Sequence, residues 1–262
     1  MTALRTGLSR AVFETRTYFR RGDQVFFTFL FPVMMLVIFA TAFSSQDFGP
    51  NMTAAAFYLP GMIAAGLLTT GVQHLAVDIA GERGDGTLKR LAGTPLSPSA
   101  YFVGKIAQSA ITGALQTALL LAVARFAFGV DLPASASAWR TFAWVWALGL
   151  VTCVLLGIAL AQLPRSAKSA SAVVMPIVLV LQFISGVYLP FSQLPAWLQH
   201  VAAVFPLKWL AQGMRAVFLP DSYAQLEPGS AWNLGGTAIA LTIWLAAGFV
   251  VVRLVFRWIR KN

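Results

Sequence analysis

Residues 81–105 read GERGDGTLKRLAGTPLSPSAYFVGK and interrupt an otherwise oily chain. An apolar run of about Ala54 to Val77 precedes them, and another of about Tyr101 to Val130 follows. Each run meets the roughly 20 residues that the hydrocarbon core demands of a crossing helix. The stretch between them places Glu82, Arg83, Asp85, Lys89 and Arg90 among glycines and prolines. Such charges are costly in lipid, so the two runs read as spans and the stretch as the loop joining them. Asp85 or Thr87 can cap a short helix there, with Leu88 and Leu91 on one side and Lys89 and Arg90 on the other. Gly93 can stop that helix, and Thr94-Pro95 turns the chain toward the next span. A two-turn helix does not hold in water by itself, so such a knob needs something to dock against. A plain polar loop is the other reading.

The rest of the chain supports a membrane setting. It has 262 residues, 58% hydrophobic and 11% charged, with a mean hydropathy of +0.74. A soluble domain carries about 25% charged residues. The net charge of +10 is spread along the chain rather than gathered into a nucleic-acid-binding face. Cys153 is the only cysteine, which rules out an intrachain disulfide or a cysteine-based metal site. Five arginines precede the first apolar run, which is too long for the core of a cleaved signal peptide.

Six spans are expected: about Val25 to Phe43, Ala54 to Val77, Tyr101 to Val130, Thr141 to Gln162, Ala172 to Leu189 and Trp232 to Phe256. None shows the two-residue alternation of a barrel strand, so all are helices. With the N-terminus inside, the inner segments hold 15 of the 19 lysines and arginines. These are Arg5, Arg10, Arg16, Arg20 and Arg21; Arg83, Lys89, Arg90 and Lys105; Arg165 and Lys168; and Arg253, Arg257, Arg260 and Lys261. That bias puts both termini and residues 81–105 in the cytoplasm. One domain, 1–262, is expected: an interfacial helix over 1–24, a six-span region over 25–256 and a cytoplasmic tail over 257–262. On a helical wheel Leu4, Leu8, Ala11, Val12, Thr15, Tyr18 and Phe19 form one arc and the arginines face away, as in a helix lying on a leaflet. A generic basic flank is the alternative. Between the fifth and sixth spans, Pro190, Pro195, Pro206 and Pro220 cut an apolar stretch into pieces too short to cross. Two short external helices dipping into the outer leaflet are expected, around Ala196–Val204 and Leu207–Phe218.

The chain carries no motif for chemistry of its own. The only Gly-Lys pair, Gly104-Lys105, is followed by Ile106, and Ser99 stands where a phosphate-binding loop needs its first glycine. No G-x-S-x-G elbow or H-E-x-x-H pair occurs. His74 and Asp78 share one face of the second span, as a proton relay, a metal pair or a solvated helix end. His200 belongs to the other side of the membrane and cannot join them. No catalytic, cofactor-binding or metal residues are assigned, and the chain is not expected to be an enzyme.

The loop resembles that between the second and third spans of type-2 ABC transporter permeases, through Glu82, Arg83, Gly86, Thr87, Leu88, Leu91, Thr94, Pro95, Gly104 and Lys105. A second block is similar through Ser185-Gly186, Pro190, Leu194-Pro195, Pro206-Leu207 and Arg215. The overall tone is that of the drug-exporter branch typified by daunorubicin-resistance permeases. The resemblance covers nearly the whole chain. It implies an all-α integral membrane protein with six transmembrane helices, an N-terminal amphipathic interfacial helix, a cytoplasmic coupling helix and external re-entrant helices. It also implies a homodimer, or a pair with a close paralogue, and two copies of a separate ATP-binding cassette subunit that holds the ATP and Mg. Glu82, Gly86, Thr87, Leu88, Leu91 and Thr94 would couple to that ATPase: Glu82 as a charge anchor, Gly86 as the sharp turn, Leu88 and Leu91 as plugs in apolar sockets. Gly186, Pro190 and Arg215 would lie on the substrate path or gate. The cargo would be a hydrophobic drug, lipid or lipid-linked molecule exported across the cytoplasmic membrane. A secondary transporter or channel independent of ATP is the other reading of six spans.

Overall fold

The computed structural model describes residues 3–49, 52–164 and 166–255. The expected tail at 257–262 and Arg165 lie outside the described residues, as does the Arg5 side chain. Helices α1 (Ala3–Phe19), α2 (Gly22–Ala42), α3 (Ala54–Leu68), α4 (Leu75–Gly84), α5 (Thr87–Ala92) and α6 (Pro98–Phe128) are followed by α7 (Ala136–Leu160), α8 (Ala167–Ile184), α9 (Ala196–Val204), α10 (Pro206–Phe218) and α11 (Leu234–Val255). Among the described residues no strand occurs.

Five helical stretches are long and apolar enough to cross a membrane: 22–42, 54–84, 98–128, 136–160 and 234–254. The fifth expected span, Ala172 to Leu189, is instead α8, a shorter apolar helix shifted five residues toward the N-terminus. Its start is set by a capping box. The Ser166 side chain accepts the Ser169 N–H, and the Ser169 hydroxyl accepts the Ser166 N–H. Its end is set by Gly186, whose φ of +74° no β-carbon tolerates comfortably. The other caps are also local: Thr53, Ser97 and Ser135 accept the N–H three residues on.

The second span is longer than the sequence reading expected, while the third, α6, is long as expected. The second span runs without interruption from Ala54 to Gly84, past Asp78, Glu82 and Arg83. Hydropathy marks where lipid contact ends, whereas the backbone ladder continues as long as no breaker intervenes. This rod and α6 are each 31 residues, about 46 Å at 1.5 Å per residue. They exceed the roughly 30 Å of hydrocarbon and carry the loop between them clear of it.

At the centre stands α3, buried at every residue except Ala56 and packed against α2, α6, α7 and α10. It passes into α4 through a π-helical segment, Thr69–His74. The wider turn lets neighbouring side chains reach the rod. The Gln182 amide donates to the Thr69 hydroxyl (3.2 Å), and the Thr70 hydroxyl donates to Gln116 Oε1 (3.2 Å). On α7, Cys153 and Gly157 press against Gly71. A β-carbon on Gly71 would lie 2.7 Å from Cys153 Cβ, and one on Gly157 would strike the Gly71 carbonyl. Hydrogen bonds between helices elsewhere suit a lipid setting, including Gln116 Nε2 to the Thr28 carbonyl (2.7 Å) and Thr152 to the Leu241 carbonyl (3.2 Å).

The N-terminal helix α1 packs along the inner end of α6. Its inward face is Gly7, Ala11, Glu14 and Tyr18. The wheel reading assigned Leu8, Val12 and Phe19 to the same apolar arc, but they are exposed beside that face. The arc is therefore split between protein contact and the surroundings. The two short helices between α8 and α11 fall where expected in the chain, and α10 begins one residue earlier at Pro206.

The Gly71–Gly157 crossing yields a direct test. Gly157→Ala should destabilise the protein by about 1–3 kcal/mol, the usual cost of overpacking. Thermal unfolding in detergent should show this as a lowered Tm, with little effect from Gly235→Ala, where an added β-carbon meets open space.

Candidate functional site

The short helix expected in the loop is α5, six residues from Thr87 to Ala92. Gly86, at φ +77°, makes the turn into it. Asp85 Oδ1 accepts the Thr87 N–H at 2.8 Å. The Thr87 hydroxyl and N–H hold the Asp85 carboxyl below its ordinary pKa. Arg90 donates to the Thr87 hydroxyl (2.9 Å), and the Thr94 hydroxyl donates to the Leu91 carbonyl (2.7 Å). Lys89, Arg90, Gly93, Thr94 and Pro95 are exposed, and Thr87 and Leu91 are half-buried. Leu88, expected to fill a socket on a partner, is buried here in the protein's own core. It fastens α5 to the bundle instead.

Glu82 also turns inward. Lys105 is 2% exposed and its Nζ reaches Glu82 Oε1 at 2.6 Å and Glu14 Oε2 at 2.9 Å. The Tyr101 hydroxyl donates to Glu82 Oε2 (2.6 Å), and Arg10 pairs with Glu14 Oε1 (2.5 Å). One buried ammonium thus joins α1, α4 and α6 through two carboxylates, and Arg10 completes a neutral cluster. Gly104 makes the approach possible, since a β-carbon there would lie 2.7 Å from the Arg10 side chain. As a charge anchor Glu82 is therefore engaged within its own chain. Next to it, Arg83 donates to the carbonyls of Ala161 (2.6 Å), Pro164 (3.2 Å) and Gln162 (3.4 Å). A cation at the carbonyl end of α7 is favourable and ties the two inner loops together.

Two cavities open beside this joint. One of about 350 Å³ separates α1 from the α5 segment and is lined by Arg10, Phe13, Thr17, Asp85, Arg90 and Leu91. The other, of about 630 Å³, lies among α2, α4 and α8 and is lined by Asp23, Gln24, Gln73, His74, Asp78 and Ser171. His74 and Asp78 take separate partners: His74 Nδ1 lies 3.1 Å from the Thr28 hydroxyl, and Asp78 pairs with Arg21 at 2.8 Å. Among the described residues no cluster of three metal-ligating side chains occurs.

On the far side, Gly186, Pro190 and Arg215 come together around one small cavity of about 20 Å³. Arg215 pairs with Glu227 (2.5 Å) and donates to the Gly186 carbonyl (2.9 Å). Lys208 is buried nearby, with Nζ 2.5 Å from Gln212 Oε1 and 3.8 Å from the Trp209 ring centre. Burial pushes the Lys208 amine down to about 8, an effect that Glu227 opposes and Arg215 reinforces.

The residues that sequence reasoning missed are Glu14, Arg10, Tyr101 and Glu227, together with the inward role of Lys105. One signal was available: Glu14 is the only acid among the first 22 residues, in a segment rich in arginine. Nothing in the sequence marks Glu227 as the partner of Arg215.

Residues 11–219 match the ABC-2 type transporter family. The chain is 25% identical over 188 residues to the probable multidrug ABC transporter permease YbhR of Escherichia coli K12, covering 71% of this chain and 50% of that protein. It thus spans about half the length of that relative. It is 22% identical over 260 residues to the probable doxorubicin resistance ABC transporter permease protein DrrC of Mycobacterium tuberculosis, covering 94% of this chain and 90% of that protein.

Removing the ammonium alone should be the worst change in the inner joint. Lys105→Met leaves two buried carboxylates facing each other and should cost about 3–5 kcal/mol, whereas Lys105→Met with Glu14→Gln and Glu82→Gln should recover most of that. Thermal melts of the two variants in detergent make the comparison. The outer lysine should behave oppositely. Its pKa is lowered on folding, so the penalty is full at pH 7 and disappears as pH rises through 8 toward the ordinary 10.5. Lys208→Met should therefore raise the Tm at pH 7, and the gain should shrink steadily at higher pH.

Proposed function

The chain belongs to the ABC-2 type transporter family, and from that premise we propose that it is the membrane-spanning subunit of an ATP-driven exporter. Its work comes from a separate ATP-binding cassette subunit, which holds the ATP and Mg. In this reading α8 is the sixth crossing element, its 18 residues covering about 27 Å. The termini and the α5 loop face the cytoplasm, and the setting is the cytoplasmic membrane. Two copies of the chain, or one copy and a close paralogue, stand over two ATPase subunits. The cargo is hydrophobic: a drug, as the names of the two relatives favour, or a lipid or lipid-linked molecule.

The observation that carries this reading is the way α5 is mounted. It is a polar, exposed foothold at the end of two long rods, with Leu88 buried beneath it and both flanks tied by ions. A loop with no mechanical role needs no such fastening. Movement of α5 would reach α6 and α1 through Lys105, and the second inner loop through Arg83. The surfaces that remain for a partner are Lys89, Arg90 and Gly93–Pro95, with Leu91 at the edge of the 350 Å³ cavity. Each is small, so affinity must come from several such patches acting together.

The test uses inside-out vesicles bearing the chain with its ATPase. Uptake of a hydrophobic dye should require both ATP and that subunit. Leu91→Asp should lower co-purification with the ATPase about tenfold, the factor that corresponds to 1.4 kcal/mol, while leaving the Tm nearly unchanged. ATP-independent uptake, or undiminished co-purification of the variant, would contradict the assignment.

A further inference from the structure

We propose that Arg215 and Glu227, completed by one bound water, form an external latch that holds the outer end of α8 closed and parts when cargo leaves. The movement at release rests on the transporter reading; the closure itself does not.

Three segments converge on one guanidinium. Arg215 belongs to α10, which is packed against α3, α7 and α11 and serves as the fixed post. Its Nε–H donates to Glu227 Oε1 (2.5 Å), between the short helical turns Asp221–Leu226 and Pro228–Ser230 of the outer loop. Its Nη1–H donates to the carbonyl of Gly186 (2.9 Å), in the turn just after α8. Gly186 makes room for this, since a β-carbon there would sit 3.4 Å from Nη1 in a backbone conformation that disfavours side chains.

The two ends of α8 are held differently. Its length lies against α4 and the π segment, while it meets α10 only sparsely. Toward its outer end the polar ties are Gln182 to Thr69, Tyr188 to Gln182 and Gly186 to Arg215. Of these only the last crosses to α10. Cutting it removes this turn's polar tie to α10 and leaves Val187 and Tyr188, which pack on the core, as its remaining hold.

The latch is also incomplete in itself. Arg215 Nη2 and Glu227 Oε2 are buried and have no hydrogen-bond partner among the described residues. Both residues line the cavity of about 20 Å³. A space of that size takes one water, and a water can accept from Nη2–H while donating to Oε2. Buried donors and acceptors left unpaired are costly, so the site favours that occupant. The same groups become fully hydrated once the loop lifts, which keeps the closed and open states close in free energy. The other buried ionisable group at this end, Lys208, bonds to Gln212 and feels Glu227 and Arg215 only through space.

Accessibility of a thiol behind the latch tests this in intact cells, without cargo or ATPase. Val187 lines the same cavity and is buried. In a Cys153→Ala background, Val187→Cys should react slowly with a membrane-impermeant maleimide added outside. Glu227→Gln and Arg215→Met should each speed labelling about tenfold, as when an open state rises from roughly 1% to 10% of the population. Lys208→Met should not. Ala211→Cys, on buried α10 surface outside the latch, reports general unfolding and should stay unlabelled throughout. Parental labelling of Val187→Cys in both latch variants, or equal labelling at Ala211→Cys, would overturn the proposal. Transport assays then stand apart: a latch that passes with no ATP-dependent uptake would refute the exporter and leave the closure standing.

Discussion

A fully buried ammonium in an oily protein must be neutralised, and Lys105 is neutralised from two directions at once. Glu14 comes from the helix lying beside α6, and Glu82 comes from the rod that ends in the exposed foothold. The burial cost of a lone charge far exceeds that of any local rearrangement, so the three elements are constrained to move together. Much of the architecture at this end follows. Gly104 and Gly7 are small because α1 must lie close enough for Glu14 to arrive. The cluster sits where the two long rods converge.

The same logic recurs at the other end with a different balance. Inside, the carboxylates and cations of the joint are matched in number and tightly paired. Outside, Lys208 and Arg215 share the single carboxylate Glu227. Between them, α3 runs as a buried axle, flanked at its outer end by an aromatic cluster in which Phe39 packs on Tyr58 and Tyr188. A tightly paired joint at one end and a sparser closure at the other suit the device proposed above.

Much of this was legible in the sequence, for physical reasons. Lipid imposes length and hydropathy on a crossing helix, so five spans were found, although the second runs on past its expected end at Val77 to Gly84. Prolines at 190, 195, 206 and 220 placed the external helices, and the glycine at 86 placed the turn before α5. What was not legible depends on tertiary pairing. Lys105 counts equally toward the positive-inside bias whether it faces headgroups or two buried acids. Leu88 and Leu91 look alike along the chain, yet only Leu88 is covered. The wheel of α1 could not show that its apolar arc is shared between α6 and the surroundings. The π segment at Thr69–His74 has no composition signal; it lies where Gly71 crosses Gly157. The start of α8 was missed because a Ser-x-x-Ser capping box is a weak signal beside a hydropathy profile.

The central claim is that work enters through the α5 foothold and is passed on by the Lys105 joint. The most direct measurement is cargo moved per ATP hydrolysed in vesicles carrying the complete complex. Glu82→Gln combined with Lys105→Met removes the link while leaving Glu14 paired with Arg10, so the fold should persist. The account expects hydrolysis to continue while cargo per ATP falls about tenfold. An unchanged ratio in a well-folded double variant would contradict it.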